Sequence, residues 1–90
     1  MTIQYFADFR NVTGCKQEQW PYEPDVSATL HSLCAKYSAM RKKVFLPGTE
    51  ELGAVVILVN GRHIAHLKGL ETPLRQSDTV QIFPVVAGGK

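Results

Sequence analysis

The six-residue apolar run Ala54–Val59 ends on Asn60-Gly61, and that junction restricts the fold more than any other stretch. A two-residue type I′ turn needs positive φ at both central positions, which Asn and Gly tolerate best. The strand that follows, at about residues 63–67, is therefore expected to run antiparallel to a buried central strand at 54–59. The rest of a sheet has to be assembled round this hairpin. Ile3-Gln4-Tyr5-Phe6-Ala7 mixes β-branched and aromatic residues, so a first strand is expected at about 2–8. The Asn, Thr and Gly of Asn11–Lys16 read as a turn. Glu18, Trp20 and Tyr22 then fall on one side at period two. Pro21 cannot donate to a ladder, which puts this second strand at a sheet edge. Thr79–Phe83 reads as a last strand, with Val80 and Ile82 facing one way and Gln81 and Phe83 the other. Pro84 is expected to end regular pairing.

One helix interrupts the strands. Leu30, Leu33, Cys34, Tyr37 and Met40 form a stripe at three- and four-residue spacing, which predicts a helix over about 27–40, capped by Asp25 or Ser27. Arg41-Lys42-Lys43 would be its solvated last turn, at the negative end of the helix dipole. Val44–Gly53 and Leu70–Gln76 read as loop and connector. The order strand, strand, helix, strand, strand, strand predicts the α+β class. Within it the expected arrangement is the β-grasp (ubiquitin-like) fold: a mixed sheet of about five strands packed on one main helix, with first and last strands side by side in the middle. This domain is expected to span 1–84, leaving 85–90 as a flexible tail.

A chain of 90 residues supports one core and no second domain. Most self-contained enzyme architectures need more chain, so a carrier, binding module or small subunit is expected, not an enzyme. A net charge of +2 is too weak a field to argue for nucleic acid. The longest apolar run, of six residues, is far below the roughly twenty that span a bilayer. No apolar segment follows a basic N-terminus, so a cytoplasmic location with reduced thiols is expected. Cys34, on the helix stripe, reads as a core residue, and Cys15, beside Lys16, as a more exposed one. His63 and His66, three apart on an expected strand, would face opposite ways and could not share a metal without a bulge. No metal or bound cofactor is expected.

The chain closes with Phe83-Pro84-Val85-Val86-Ala87-Gly88-Gly89-Lys90. Two adjacent glycines bring no side chain to pack; what they provide is slimness, since such a tail enters a channel that any Cβ would block. The five residues Val85–Gly89 reach about 17 Å when extended. Phe83, whose face opposes that of Val80 and Ile82, is either a second-face core residue or an exposed anchor. The anchor is favoured because Pro84 and Val85 continue the same apolar surface toward the tail, and contiguous apolar patches mark partner sites.

These features resemble the ubiquitin-like sulfur carriers, above all the small subunit of molybdopterin synthase, and more distantly the sulfur carrier of thiamine biosynthesis. The likeness is carried by Tyr5-Phe6-Ala7, the helix after Ser27, Val59-Asn60-Gly61, Thr72-Pro73-Leu74, and Asp78-Thr79-Val80 leading through Ile82 to Gly89. It implies chemistry at Gly89. A partner activating (adenylating) enzyme would use ATP to form an acyl-adenylate there, and a sulfur donor would convert it to a thiocarboxylate. Val86, Ala87, Gly88 and Gly89 would insert into a large synthase subunit, with Phe83, Pro84 and Val85 docking beside them. The sulfur would pass to molybdopterin or a tungsten-binding pterin. Lys90 departs from the family ending, so either a trimming protease removes it first or it is not a native residue. The alternatives are a ubiquitin-like modifier joined through Gly89 to target lysines, or a sulfur carrier for thiamine, transfer RNA thiolation or amino-acid synthesis.

Overall fold

The structure, a computed structural model, describes residues Met1–Val85. The expected hairpin is present. Asn60 and Gly61 have φ of 52° and 83°, as a type I′ turn requires, and join β3 (Val55–Val59) to β4 (Arg62–His63) with Leu58 opposite His63 and Val59 opposite Arg62. β4 is shorter than expected because the chain turns into a 3₁₀ segment, Ile64–His66, where the His63 side chain accepts from the Ala65 amide. The rings of His63 and His66 consequently lie 6.0 Å apart and do not point to opposite faces of a strand.

β1 (Thr2–Tyr5) and β5 (Thr79–Pro84) pair in parallel, and the five-stranded sheet has the order β2-β1-β5-β3-β4, with β2 at Gln17–Gln19. This is the β-grasp arrangement, with first and last strands central. β2 is an edge strand as expected but ends before Trp20, whose amide pairs with the Met1 carbonyl; Pro21 has no N–H to continue. Pro84 does not end pairing: it lies opposite Val55, and the Val85 amide still donates to the Ala54 carbonyl at 3.1 Å.

Between β1 and β2, where a turn was expected, Phe9–Thr13 forms a short helix, α1. Phe9 is fully buried and anchors it, and the Thr13 hydroxyl donates back to the Phe9 carbonyl. Gly14, at φ 78°, closes it with its amide on the Arg10 carbonyl, a position where left-handed backbone favours glycine.

The main helix, α2, is Val26–Lys36, with the Asp25 carboxylate accepting from the Ala28 amide at 2.8 Å. It stops earlier than the apolar stripe. Tyr37 leaves helical backbone at φ −113° and ψ 103°, and its hydroxyl reaches Glu18. A separate helix, α3 (Met40–Val44), follows. Arg41-Lys42-Lys43 therefore belongs to α3 and is not the last turn of the main helix. Lys43 pairs with Asp8 and Arg41 with Glu50.

The core lies between the sheet and the helices. Ile3, Tyr5, Ile57, Val80 and Ile82 from the sheet meet Val26, Leu30 and Leu33 of α2, Met40 and Val44 of α3, and Phe9, all fully buried. Cys34 is half-buried at the margin of this core, as is Cys15. Burial pushes the Cys34 thiol above its ordinary range. Among the described residues no helix is long and apolar enough to cross a membrane.

Candidate functional site: the sheet face where β5 ends

β5 is held on both sides by neighbours, which fixes the direction in which the chain leaves the sheet. Ile82 lies opposite Tyr5 on β1 and Ile57 on β3, and Phe83 lies opposite Val56. Alternation sends Val80 and Ile82, both fully buried, into the core. Gln81 and Phe83 are left on the open face, as expected.

Phe83 is neither core nor free anchor. Its ring stacks on Phe6 with centroids 4.0 Å apart and planes 8° from parallel, and both residues remain partly exposed. The Arg10 guanidinium lies over the Phe6 ring, 5.4 Å from its centroid, and is aimed by a 2.8 Å bond from Nε to the Tyr5 carbonyl. Phe6 itself is brought there by its amide on the Ile82 carbonyl and by Ala7, which follows at φ 52°. Val56 and Leu58, also partly exposed, share this face through their register with Phe83 and Gln81.

Beside the apolar strip runs a row of amides. Gln81 Nε2 donates to Gln4 at 3.0 Å, Gln4 Nε2 donates to Gln17 at 3.2 Å, and the Gly61 amide donates to Gln81 Oε1 at 3.1 Å. These side chains satisfy one another and leave Phe6, Phe83 and Val56 as the part of the face with most to gain from being covered. Val85, 47% exposed, continues the strip at the point where the described chain ends. Phe83 and Val85 fall on this side at period two, whereas Pro84, opposite the buried Val55, falls on the side of Val80 and Ile82. Val86, Ala87, Gly88, Gly89 and Lys90 lie outside the described residues.

Phe6, Arg10 and Val56 were not picked out by sequence reading. A signal for Phe6 existed: it follows Tyr5, which faces the core, so alternation puts it on the open side.

The strongest titration shifts lie elsewhere, where the edge strand β2 meets α2. The Glu18 carboxylate accepts from Tyr5 and Tyr37 hydroxyls at 2.6 Å each and from Lys36 at 3.0 Å. Burial alone would raise the Glu18 carboxyl, but the bonds from Tyr37, Tyr5 and Lys36 outweigh it and hold the group below the usual carboxylate range. Burial and the bond to Glu18 push both tyrosines up. The cluster clips the edge strand to the helix, and perturbed groups of this kind also arise in structural networks. Among the described residues the end of β5 offers apolar surface, one guanidinium and amides.

The ThiS family matches residues 3–89. The chain is 38% identical over 91 aligned positions to small archaeal modifier protein 3 of Haloferax volcanii, covering 99% of this chain and 98% of that protein. Among solved structures it is similar to small archaeal modifier protein 1 of Methanosarcina acetivorans, with TM-score 0.86 and 38% identity over 98% of this chain and 94% of the other. It also resembles Mycobacterium tuberculosis CysO, with TM-score 0.82 and 27% identity over 94% and 98% of the two chains. A family match across nearly the whole length places the chain among the small ubiquitin-like carriers and modifiers: it belongs to the ThiS family of sulfur carriers.

Proposed function

We propose that this protein carries sulfur on Gly89 and delivers it to a pterin cofactor precursor. One observation carries the reading most: the central strand β5, locked between β1 and β3, releases the chain at Val85 beside the Phe6–Phe83–Val56 strip. A partner that covers the strip therefore meets the chain where Val85 leaves the sheet. An activating enzyme docked there would adenylate the Gly89 carboxylate with ATP and release pyrophosphate. A sulfur donor would then replace AMP to leave a thiocarboxylate. A large synthase-like subunit docked on the same face would take the tail and pass its sulfur on. This chain supplies the docking surface and the reacting carboxylate, and its partners supply the catalytic groups.

Lys90 follows Gly89, so the carboxylate is free only after the Gly89–Lys90 bond is cut. An extra residue displaces the terminal carboxylate by about 3.5 Å, and a misplacement of about 1 Å can cost two orders of magnitude in rate. The test is to incubate chains ending at Gly89 and at Lys90 with the activating enzyme, ATP and a sulfur donor. Intact mass should show one oxygen replaced by sulfur only in the shorter chain. Exchange on a chain that retains Lys90 would refute the trimming step. Sulfur appearing in a pterin precursor after addition of the large subunit would identify the acceptor, and its absence would remove the pterin assignment.

The 38% identity to a protein named as a modifier favours a second reading, in which activated Gly89 is joined to a lysine amine of a target protein. The covalent product separates the two. An isopeptide bond from Gly89 to lysine in proteins isolated from the native cell would establish the second.

A further inference from the structure

A concave surface lies at the other end of β3 from the strip. β3 begins at Val55 beside Pro84 and ends at Val59 beside Val80, which puts the Asn60-Gly61 turn about 13 Å or more along the strand from the point where β5 releases the chain. There a depression of about 430 Å³ opens between the β3–β4 turn and the segment 67–73. Val59 and Thr72 are buried in its floor, Leu67 is half-buried, and Pro73 forms an exposed wall.

Its walls are fixed by hydrogen bonds. The Thr72 hydroxyl donates to the Gly69 carbonyl at 2.7 Å and accepts from the Lys68 amide at 3.0 Å, and the Val26 amide holds the Thr72 carbonyl. The Asn60 side chain is bonded to Asp78 and to the Thr79 amide. A ligand entering here would meet a shape already ordered.

Arg62 and Lys68, both exposed, line the depression. Among the described residues neither has a carboxylate within ion-pair distance. The Asp78 carboxylate is engaged by the Arg75 and Asn60 groups, and Glu71, although near in sequence, pairs with neither cation. Two unneutralised cations over an apolar floor fit a ligand that brings an aliphatic group flanked by negative charge. No aromatic ring lines the depression on which a base could stack, and two cations are few for following a phosphate backbone.

We propose that this depression docks an acidic peptide segment of a partner protein, with one aliphatic side chain on the Val59–Leu67 floor and flanking carboxylates on Arg62 and Lys68. The site stands apart from the strip beside β5, so its occupant leaves Phe6 and Phe83 uncovered.

The proposal is tested by titrating the ¹⁵N-labelled chain with the peptide acetyl-Asp-Leu-Asp-Leu-Glu-amide. Saturable shifts should centre on the amides of Val59, Gly61, Leu67 and Lys68, and added salt should weaken binding. Arg62→Glu with Lys68→Glu should lower the affinity by about tenfold or more. The milder pair Arg62→Gln with Lys68→Gln should lower it less, with both variants keeping the parent melting temperature and Gly89 activation. The proposal is overturned if no saturable shift occurs at these amides at about 1 mM peptide, or if the charge-reversed variant binds as the parent does. Equal binding of acetyl-Lys-Leu-Lys-Leu-Lys-amide, or tighter binding of a short single-stranded oligonucleotide at the same amides, would overturn it as well.

Discussion

Glu18→Ala removes the acceptor of two tyrosine hydroxyls in one step. Tyr5 has no exposed surface, so its hydroxyl, bonded to Glu18 at 2.6 Å, would be stranded where water does not reach. An unpaired buried donor costs about 1–3 kcal/mol. The Tyr37 hydroxyl makes the second 2.6 Å bond, but Tyr37 is only half-buried and would regain water, adding about 0.5–1.5 kcal/mol. Lys36 stays solvated and contributes nothing to the sum. The expected loss is about 1.5–4.5 kcal/mol, a large part of the roughly 5–15 kcal/mol that holds a domain together. It corresponds to a fall of about 6–36 °C in the melting temperature of a domain this size. Chemical denaturation at pH 7 measures it directly. Adding Tyr5→Phe to Glu18→Ala should restore about 1 kcal/mol, because removing both partners leaves nothing unpaired. The sign of the pH dependence is also fixed. The Glu18 carboxyl is held below its ordinary range, so its contribution is present above the unfolded value of about 4.3 and disappears as pH falls through the folded one. The gap between parent and Glu18→Ala should therefore narrow in acid, where the protonated carboxyl still accepts but the charge-assisted part is lost. A variant within about 0.5 kcal/mol of the parent at pH 7, or a gap unchanged in acid, would refute the reasoning.

Leu33, fully buried on α2, should cost about 2–5 kcal/mol as Leu33→Ala, most of it from the cavity left behind; an unchanged denaturation midpoint would contradict the helix orientation. Phe83→Ala forfeits its stack on Phe6, about 1 kcal/mol of stability, while partner affinity should fall by about 2 kcal/mol or more. Calorimetry of folding beside titration with the activating enzyme separates the two, and a variant that melts early yet binds normally would make Phe83 structural only. Gly61→Ala meets no neighbour within 4 Å, so only the φ of 83° opposes it. The loss should be about 1–2 kcal/mol with an unchanged sheet by circular dichroism, and a larger one would mean that the hairpin turn does more than reverse the chain.

What the sequence disclosed follows the range of the interactions involved. The β3–β4 hairpin rests on two adjacent residues whose φ preferences act locally, and it was legible. So was the placing of Gln81 and Phe83 on one face, since alternation needs only the strand itself. α1 was not, because Asn11, Val12 and Thr13 are weak helix formers and the segment coils only because Phe9 is seated in a core built largely by distant residues. The break of the main helix was hidden for the same reason. The stripe of Leu33, Tyr37 and Met40 continues at helical spacing through the break, and the structure places the Tyr37 hydroxyl on Glu18, 19 residues away. Period two had put Glu18 on one side with Trp20 and Tyr22, the structure turns Glu18 toward the helix, and a carboxylate on a partly buried strand face demands donors. That demand names a need without naming Tyr5 and Tyr37 as the residues that meet it. The docking surface divides along the same line. Phe83 belongs to a pattern within β5, whereas its stacking partner Phe6 is set by the parallel β1–β5 register, a pairing between the two ends of the chain. The surface beside the tail is therefore a product of the closed sheet: substitutions that loosen β1 against β5 should disorder the Phe6–Phe83 stack and weaken partner docking even when every residue of the tail is intact.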